Sequence, residues 1–172
     1  MPELQRLRPD HAPALLAFER ENRGYFARSV PDRGDAYFTG FSARHAALLA
    51  EQADGSCHFH VLVDEEGAVL GRVNLVDVAD GEAELGYRIA ERATGHGLAT
   101  SAVRQVCGIA GAEYGLRALR AATYADNAGS RAVLVRAGFV AVGEVEVEGR
   151  AEVRYRRETA ARGLIGPRSE GA

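Results

Sequence analysis

The stretch Glu82-Ala83-Glu84-Leu85-Gly86-Tyr87-Arg88-Ile89 leads into Arg92-Ala93-Thr94-Gly95-His96-Gly97-Leu98-Ala99, and its reading decides the fold. The first eight residues alternate as a strand does, with Leu85, Tyr87 and Ile89 on one parity and Glu82 and Glu84 on the other. From Leu98 the apolar period becomes helical: Leu98, Ala102, Val106, Ile109 and Ala110 fall on one face. A strand, a loop with two glycines and a helix thus follow one another. The first turn of such a helix has N–H groups without intrahelical partners and carries the positive end of the macrodipole, so it favours phosphate oxygens. Gly95 and Gly97 lack a Cβ, which frees the loop's dihedrals and lets a pyrophosphate approach the backbone.

Two well-known phosphate loops fit poorly. The Rossmann fingerprint needs a small residue where Thr100 stands, and the P-loop needs Lys-Ser/Thr where Leu98-Ala99 stand.

Outward from this stretch, strands are predicted over 57–64, 68–78 and 82–89. Glu65-Glu66-Gly67 and Ala79-Asp80-Gly81 punctuate them as hairpin turns of an antiparallel meander. The helix after the glycine loop crosses over to a strand at 116–124, which is therefore parallel to 82–89. On the amino-terminal side a strand at 3–8 precedes a helix reaching about residue 22, with Asp10 as its N-cap, and a second helix covers 41–53. Between the helices, 24–40 reads as an ordered loop whose Tyr25, Phe26, Tyr37 and Phe38 form an apolar anchor before they form a ligand contact.

On the carboxyl-terminal side Asp126-Asn127-Ala128-Gly129-Ser130 opens a helix that ends at Ala137-Gly138-Phe139. In the next strand Val140 and Val142 lie on one parity and Val145 and Val147 on the other, which places a bulge or bend at Gly143. A last strand covers 151–157. The order βααβββαβαββ describes an α/β or α+β domain with a mixed sheet, expected as a single domain over 1–159, and 160–172, short of large apolar residues, reads as a flexible tail.

Composition narrows the classes. With 47 % hydrophobic and 26 % charged residues in 172, the chain is an ordinary globular one, and a net charge of −3 gives no reason to expect a nucleic-acid partner. No apolar run reaches membrane-spanning length and the amino terminus lacks a signal-peptide layout, so the expected location is the cytoplasm, with no membrane partner. Cys57 and Cys107 read as reduced core thiols. His58 and His60 share a strand face without a matching ligand pattern, so no metal is expected.

Arg-x-x-Gly-x-Gly-x-Ala from Arg92 to Ala99, preceded by Glu-Leu-Gly-Tyr-Arg-Ile, resembles the acyl-CoA loop of the GNAT family, the GCN5-related N-acetyltransferases. Asn127-x-x-Ser130, followed by Ala137-Gly138-Phe139, extends the likeness from about residue 4 to 157. Together they resemble the Rim-type branch, which acetylates the α-amino group of ribosomal proteins and, in relatives, other amines. The resemblance implies a mostly antiparallel sheet with helices on both faces and acetyl-CoA as co-substrate. It further implies pyrophosphate binding by the loop of Arg92, Gly95, His96, Gly97, Leu98 and Ala99, and pantetheine pairing along Tyr87, Arg88 and Ile89 with a further bond from Asn127. Many members carry a tyrosine where Leu134 stands, to protonate the leaving thiolate; in Rim-type relatives a serine placed like Ser130 takes that task. A homodimer is implied as well.

Direct attack on a thioester needs a neutral amine. Deprotonation at pH 7 costs about 4.6 kcal/mol for a lysine amine of pKa ~10.4, and about 1 to 1.4 kcal/mol for an α-amine of pKa ~7.7 to 8.0. A carboxylate acting through water suffices for the second. Strand parity offers Glu84 for that role, since it lies nearer the expected thioester than Glu82, although both also read as solvated edge charges. The resemblance thus implies an N-acetyltransferase acting on a peptide N-terminus or a small amine. The alternatives are an acyl-CoA sensor without turnover and a nucleotide-phosphate binder using the same loop.

Overall fold

The computed structural model describes residues 1–159; the tail expected at 160–172 lies outside the described residues. Strand β1 (Glu3–Arg6) and a 3-10 turn (Pro9–His11) lead into helix α1 (Ala12–Glu21). The short helices α2 (Arg23–Phe26) and α3 (Asp35–Thr39) precede α4 (Phe41–Asp54). Strands β2 (His58–Val63), β3 (Val69–Ala79) and β4 (Glu82–Ile89) form the meander. Helix α5 (Leu98–Ala112), strand β5 (Ala118–Tyr124), helix α6 (Ala128–Arg136) and the hairpin β6 (Val140–Val147) and β7 (Arg150–Glu158) complete the order.

Three local readings change. Asp10 pairs with Arg8 at 3.0 Å instead of capping α1, because the 3-10 turn moves the helix start to Ala12. The segment 24–40 holds two short helices within its loops; Phe26 packs on Phe18 with ring centroids 5.4 Å apart, and Tyr37 packs edge-on against Phe41 at 5.9 Å. The bulge in β6 falls at Val142, one residue before Gly143, since Ala141 faces Tyr155 and Gly143 already faces Arg154. That extra residue returns Val140 and Val145 to one sheet face, where both are exposed on the edge strand.

Among the described residues seven strands form one sheet in the order β1-β2-β3-β4-β5-β7-β6, and only β4 and β5 pair parallel. Register places Ala83, Leu85 and Tyr87 on the face under α5 and α6, where Val103, Val106, Leu119, Leu134, Phe139 and Tyr155 form one core cluster. The other face carries Gly86 and Arg88 toward α1, and a second cluster joins Leu15, Phe18, Phe41 and Leu48 to Phe59 and Val61.

Gly71 keeps the β3 and β4 ends together. A Cβ there would meet the Arg88 carbonyl oxygen at 2.9 Å and the Ile89 side chain at 2.6 Å, so only glycine lets the end of β4 lie this close.

Helix α1 is fixed to the sheet by charge. Glu19, 1 % exposed, accepts from Arg72 on β3 at 3.0 Å and from Arg88 on β4 at 3.2 Å. Removing the carboxylate leaves the Arg72 guanidinium buried without a counter-charge. Glu19→Ala should therefore destabilise the protein by about 3–5 kcal/mol, read as a lowered urea midpoint at unchanged slope.

Candidate active site

The site is a gap in the sheet. Strands β4 and β5 pair only through Glu82↔Ala118, Ala83↔Leu119 and Glu84↔Arg120. Beyond that, β4 stays with β3 as far as Ile89↔Gly71, while β5 stays with β7 as far as Tyr124↔Glu152. The edge of β4 from Leu85 to Ile89 is thus unpaired on its β5 side and borders a cavity of about 750 Å³. Leu85, Gly86, Tyr87, Arg88 and Ile89 line one wall, and Ala121, Ala122, Thr123 and Tyr124 the other.

The mouth of the gap is the glycine loop. Gly95 and Gly97 have φ of 81° and 73°, left-handed values that a side chain would strain, and both border the cavity with Leu98, Ala99 and Thr100. Gly97 is the N-cap of α5 and supplies no capping side chain. Among the described residues the N–H groups of Leu98, Ala99 and Thr100 have no backbone acceptor, the first closing bond of the helix being Ser101 N–H to Gly97 O at 3.0 Å. Unpartnered donors in the helix turn that follows the glycines, beside an unpaired strand edge, suit a phosphate at the loop and an amide-bearing arm along the strand. His96 is exposed and lies outside the lining. Arg92 is also outside it, with its guanidinium 4.0 Å from Asp64.

Helix α6 closes the far side. Asn127 caps it, its Oδ1 accepting from the Ser130 N–H at 3.1 Å. The cap is therefore Asn127 and the Ser130 hydroxyl has no capping task. The Ser130 hydroxyl and the Tyr87 phenol both belong to residues of the cavity wall; burial pushes the phenol upward in pKa and Ser130 draws it partly back, so Tyr87 is protonated at neutral pH. Leu134, at the position where the resemblance implies a tyrosine, is packed in the core with 2 % exposure.

The structure separates the carboxylates. Glu84 is half-buried, lies in the last parallel-paired row and does not border the cavity. Glu82 pairs with Arg156. Glu152 on β7 does border the cavity, with Arg154 3.8 Å away. Sequence reasoning passed over Glu152 because it sits in a charge-alternating strand without a motif; only strand pairing brings it opposite Tyr124 at the gap. Tyr25, Phe26, Ser29 and Val30 also line the cavity, so the aromatic anchor of the early loops is a wall of the cleft as well. The Arg88 guanidinium reaches Glu19 at 3.2 Å, and the residue borders the cavity as well. His60 donates or accepts at Tyr114 at 2.7 Å and at the Val73 carbonyl, and burial holds it near a pKa of about 4, far from the gap. Among the described residues no three His, Cys, Asp or Glu side chains are grouped to hold a metal, and no helix is long and apolar enough to cross a membrane.

Residues 3–140 match the family model of the Acetyltransferase (GNAT) domain. The chain belongs to the GNAT acetyltransferases. It is 29 % identical over 130 residues to the probable N-acetyltransferase YjcK of Bacillus subtilis, covering 72 % of each chain. Its fold is that of the ribosomal-protein-S5-alanine acetyltransferase from Vibrio fischeri, with a TM-score of 0.88 at 20 % identity over 92 % of this chain and 93 % of that one. A spermidine N-acetyltransferase from Vibrio cholerae, solved with CoA and spermine, superposes with a TM-score of 0.74 at 15 % identity, covering 93 % and 96 %. This GNAT member therefore has its family's sheet, and its structural neighbours include a RimJ from Mycobacterium smegmatis and a RimL.

Because Asn127 alone caps α6, Asn127→Ala should cost about 1 kcal/mol. In a domain of this size that lowers the melting temperature by about 2–4 °C in a calorimetric scan.

Proposed function

We propose that this GNAT acetyltransferase moves the acetyl group of acetyl-CoA to a primary amine by direct attack, in the gap between β4 and β5. The observation that carries the reading is the glycine loop with its unpartnered N–H groups beside an unpaired strand edge. In this reading the loop at Gly95, Gly97, Leu98 and Ala99, with the backbone of Arg92 and His96 around it, takes the pyrophosphate. The edge at Tyr87, Arg88 and Ile89 pairs with the pantetheine arm, and Asn127 adds a bond from α6. The same strand's N–H groups stabilise the oxyanion that forms when the amine attacks, as oriented donors do in other acyl transfers.

Two proton transfers remain. Ser130 protonates the departing thiolate, with the protonated Tyr87 phenol on the same cavity wall. This replaces the tyrosine that Leu134 cannot supply. On the acceptor side a water held by a carboxylate takes the amine proton, which is a light demand for an α-amine, at about 1 to 1.4 kcal/mol, and a heavy one for a lysine, at about 4.6 kcal/mol. Glu152 is the carboxylate on the cavity wall and Glu84 the one a row behind it. Homodimerisation belongs to the same proposal on the Rim-type resemblance, and a cytoplasmic location on the lack of a signal-peptide layout in the sequence; light scattering reads the first directly.

A second reading, an acyl-CoA sensor, is favoured by one observation: a core leucine in place of the usual proton donor. Thiol release separates the two, since a sensor binds acetyl-CoA but releases no thiol with any amine.

Calorimetric titration should give micromolar acetyl-CoA binding and none for ATP or NAD. Gly97→Asp, which sets a carboxylate against the bound phosphates, should weaken binding at least about tenfold while circular dichroism stays native. Equal affinity in that variant removes the loop from the site.

Kinetics should rank the proton carriers. Glu152→Gln should lower kcat by about 10²-fold with little change in acetyl-CoA affinity, more than Glu84→Gln, and Ser130→Ala by about tenfold. The reverse order of the two carboxylates returns the base to Glu84.

A further inference from the structure

Beside the cleft lies an unbalanced set of charges. Glu19 is the carboxylate for three guanidiniums: Arg72 at 3.0 Å, Arg88 at 3.2 Å and Arg33 at 3.6 Å. The fourth arginine nearby, Arg23, is matched separately by Asp32 at 2.8 Å and Asp35 at 2.9 Å. Those two aspartates lie further out, Asp35 with its side chain 94 % exposed and so the more strongly screened by water. Around Glu19 itself positive charge exceeds negative by two, and over all seven groups the surplus is still one.

The surplus is held in place rather than free to swing. The Arg88 guanidinium carbon stands 4.8 Å from the centre of the Phe26 ring, and that of Arg33 stands 4.6 Å from the centre of Tyr37. Arg88 gives one hydrogen bond to protein, and Arg33 gives none among the described residues, so most of their N–H donors remain for something else. Their side chains are 21 % and 30 % exposed, buried enough for a strong field and open enough for a ligand.

This set adjoins the reacting centre. Arg88 and Phe26 border both the cleft and the recess that contains Glu19 and Arg33. Arg88 lies on the same face of β4 as Gly86, about 7 Å further along the strand, and Gly86 has no side chain to fill the space between. Across the gap stands Glu152. The cleft thus has a cationic wall on the β4 side and an anionic side chain on the β7 side.

We propose that the acceptor is an amine carrying an anionic group, in the simplest case a carboxylate, a few bonds from its nitrogen, and that Arg33 and Arg88 bind that group while the nitrogen faces Glu152. The proposal rests on the reading of the gap as the site of acetyl transfer. An ammonium alone satisfies only Glu152; a polyamine sets further positive charge against the arginines and is selected against. The carboxylate can belong to a small amino acid or to an acidic side chain close to a peptide's amino terminus, since both present the same group to a guanidinium fork.

Matched acceptors separate these sources. Thiol release from acetyl-CoA is followed with β-alanine against β-alaninamide, with peptide amides carrying Glu against Gln at the second position, and with spermidine. At least one anionic member should exceed its neutral partner by about tenfold in kcat/KM, as a charge-assisted hydrogen bond provides, and the pair that shows it names the source. Spermidine should be the poorest acceptor. Arg33→Gln leaves Glu19 two guanidiniums and so preserves the fold; it should shrink the preference at least about fivefold through KM of the anionic acceptor, and Arg33→Lys should restore part of it. Neutral members or spermidine reacting as fast as the anionic ones, or a preference untouched in Arg33→Gln, overturns the proposal while acetyl transfer stands. No thiol release with any amine overturns both.

Discussion

Three residues hold the two halves of this sheet together. Glu82, Ala83 and Glu84 pair with Ala118, Leu119 and Arg120, and everything downstream depends on the pairing stopping there. Each strand then remains loyal to its antiparallel neighbour, β4 to β3 and β5 to β7, because those ladders continue while the parallel one ends. Strand twist turns the separation into a wedge. The wedge leaves backbone donors and acceptors of β4 without a sheet partner, which a folded chain tolerates where water or a ligand meets them. Helix α5, starting at the open end of the wedge with an uncapped first turn, adds donors to the same space. The cleft is therefore a consequence of topology more than of any one side chain.

The two walls of the wedge differ in what stabilises them. Under α5 and α6 the contacts are aliphatic and aromatic, with Val103, Val106 and Leu119 fully buried. Toward α1 the contact is an ion cluster on Glu19, with Arg72 and Arg88 reaching it from neighbouring strands. A buried ion cluster is a costly way to attach a helix compared with apolar packing. One of the arginines that anchor α1, Arg88, also borders the cleft, so attachment of the helix and the electrostatic character of the acceptor side are linked. The loops between α1 and α4 contribute to both, through Phe26 and Tyr37 against the arginines.

The order of elements was legible in the sequence because each carries its own period or punctuation. Gly67 and Gly81 mark the hairpins with left-handed dihedrals, and Gly55 ends α4 in the same way, as its place after Asp54 suggests. The misread places are those where two local signals compete. Asp10 looks like a helix cap but lies within a 3-10 turn that the helix follows, and the β6 bulge sits at Val142 because pairing with β7, not the glycine, fixes the register. The short helices in 24–40 are too brief to show a period, and tertiary aromatic packing supports them.

The sequence by itself determined the family, the strand–loop–helix unit with Gly95 and Gly97, and the Asn127 and Ser130 motif, because those features are contiguous and rest on local backbone geometry. Only the tertiary structure decided which side chains meet across the gap. Glu152, Ser130 and Tyr87 around one cavity, and Glu19 among Arg33, Arg72 and Arg88, are brought together from distant parts of the chain by strand pairing and helix packing. No period or spacing along the chain encodes such a meeting, since charge and hydrogen-bond complementarity act through space and the register of the sheet sets the distances.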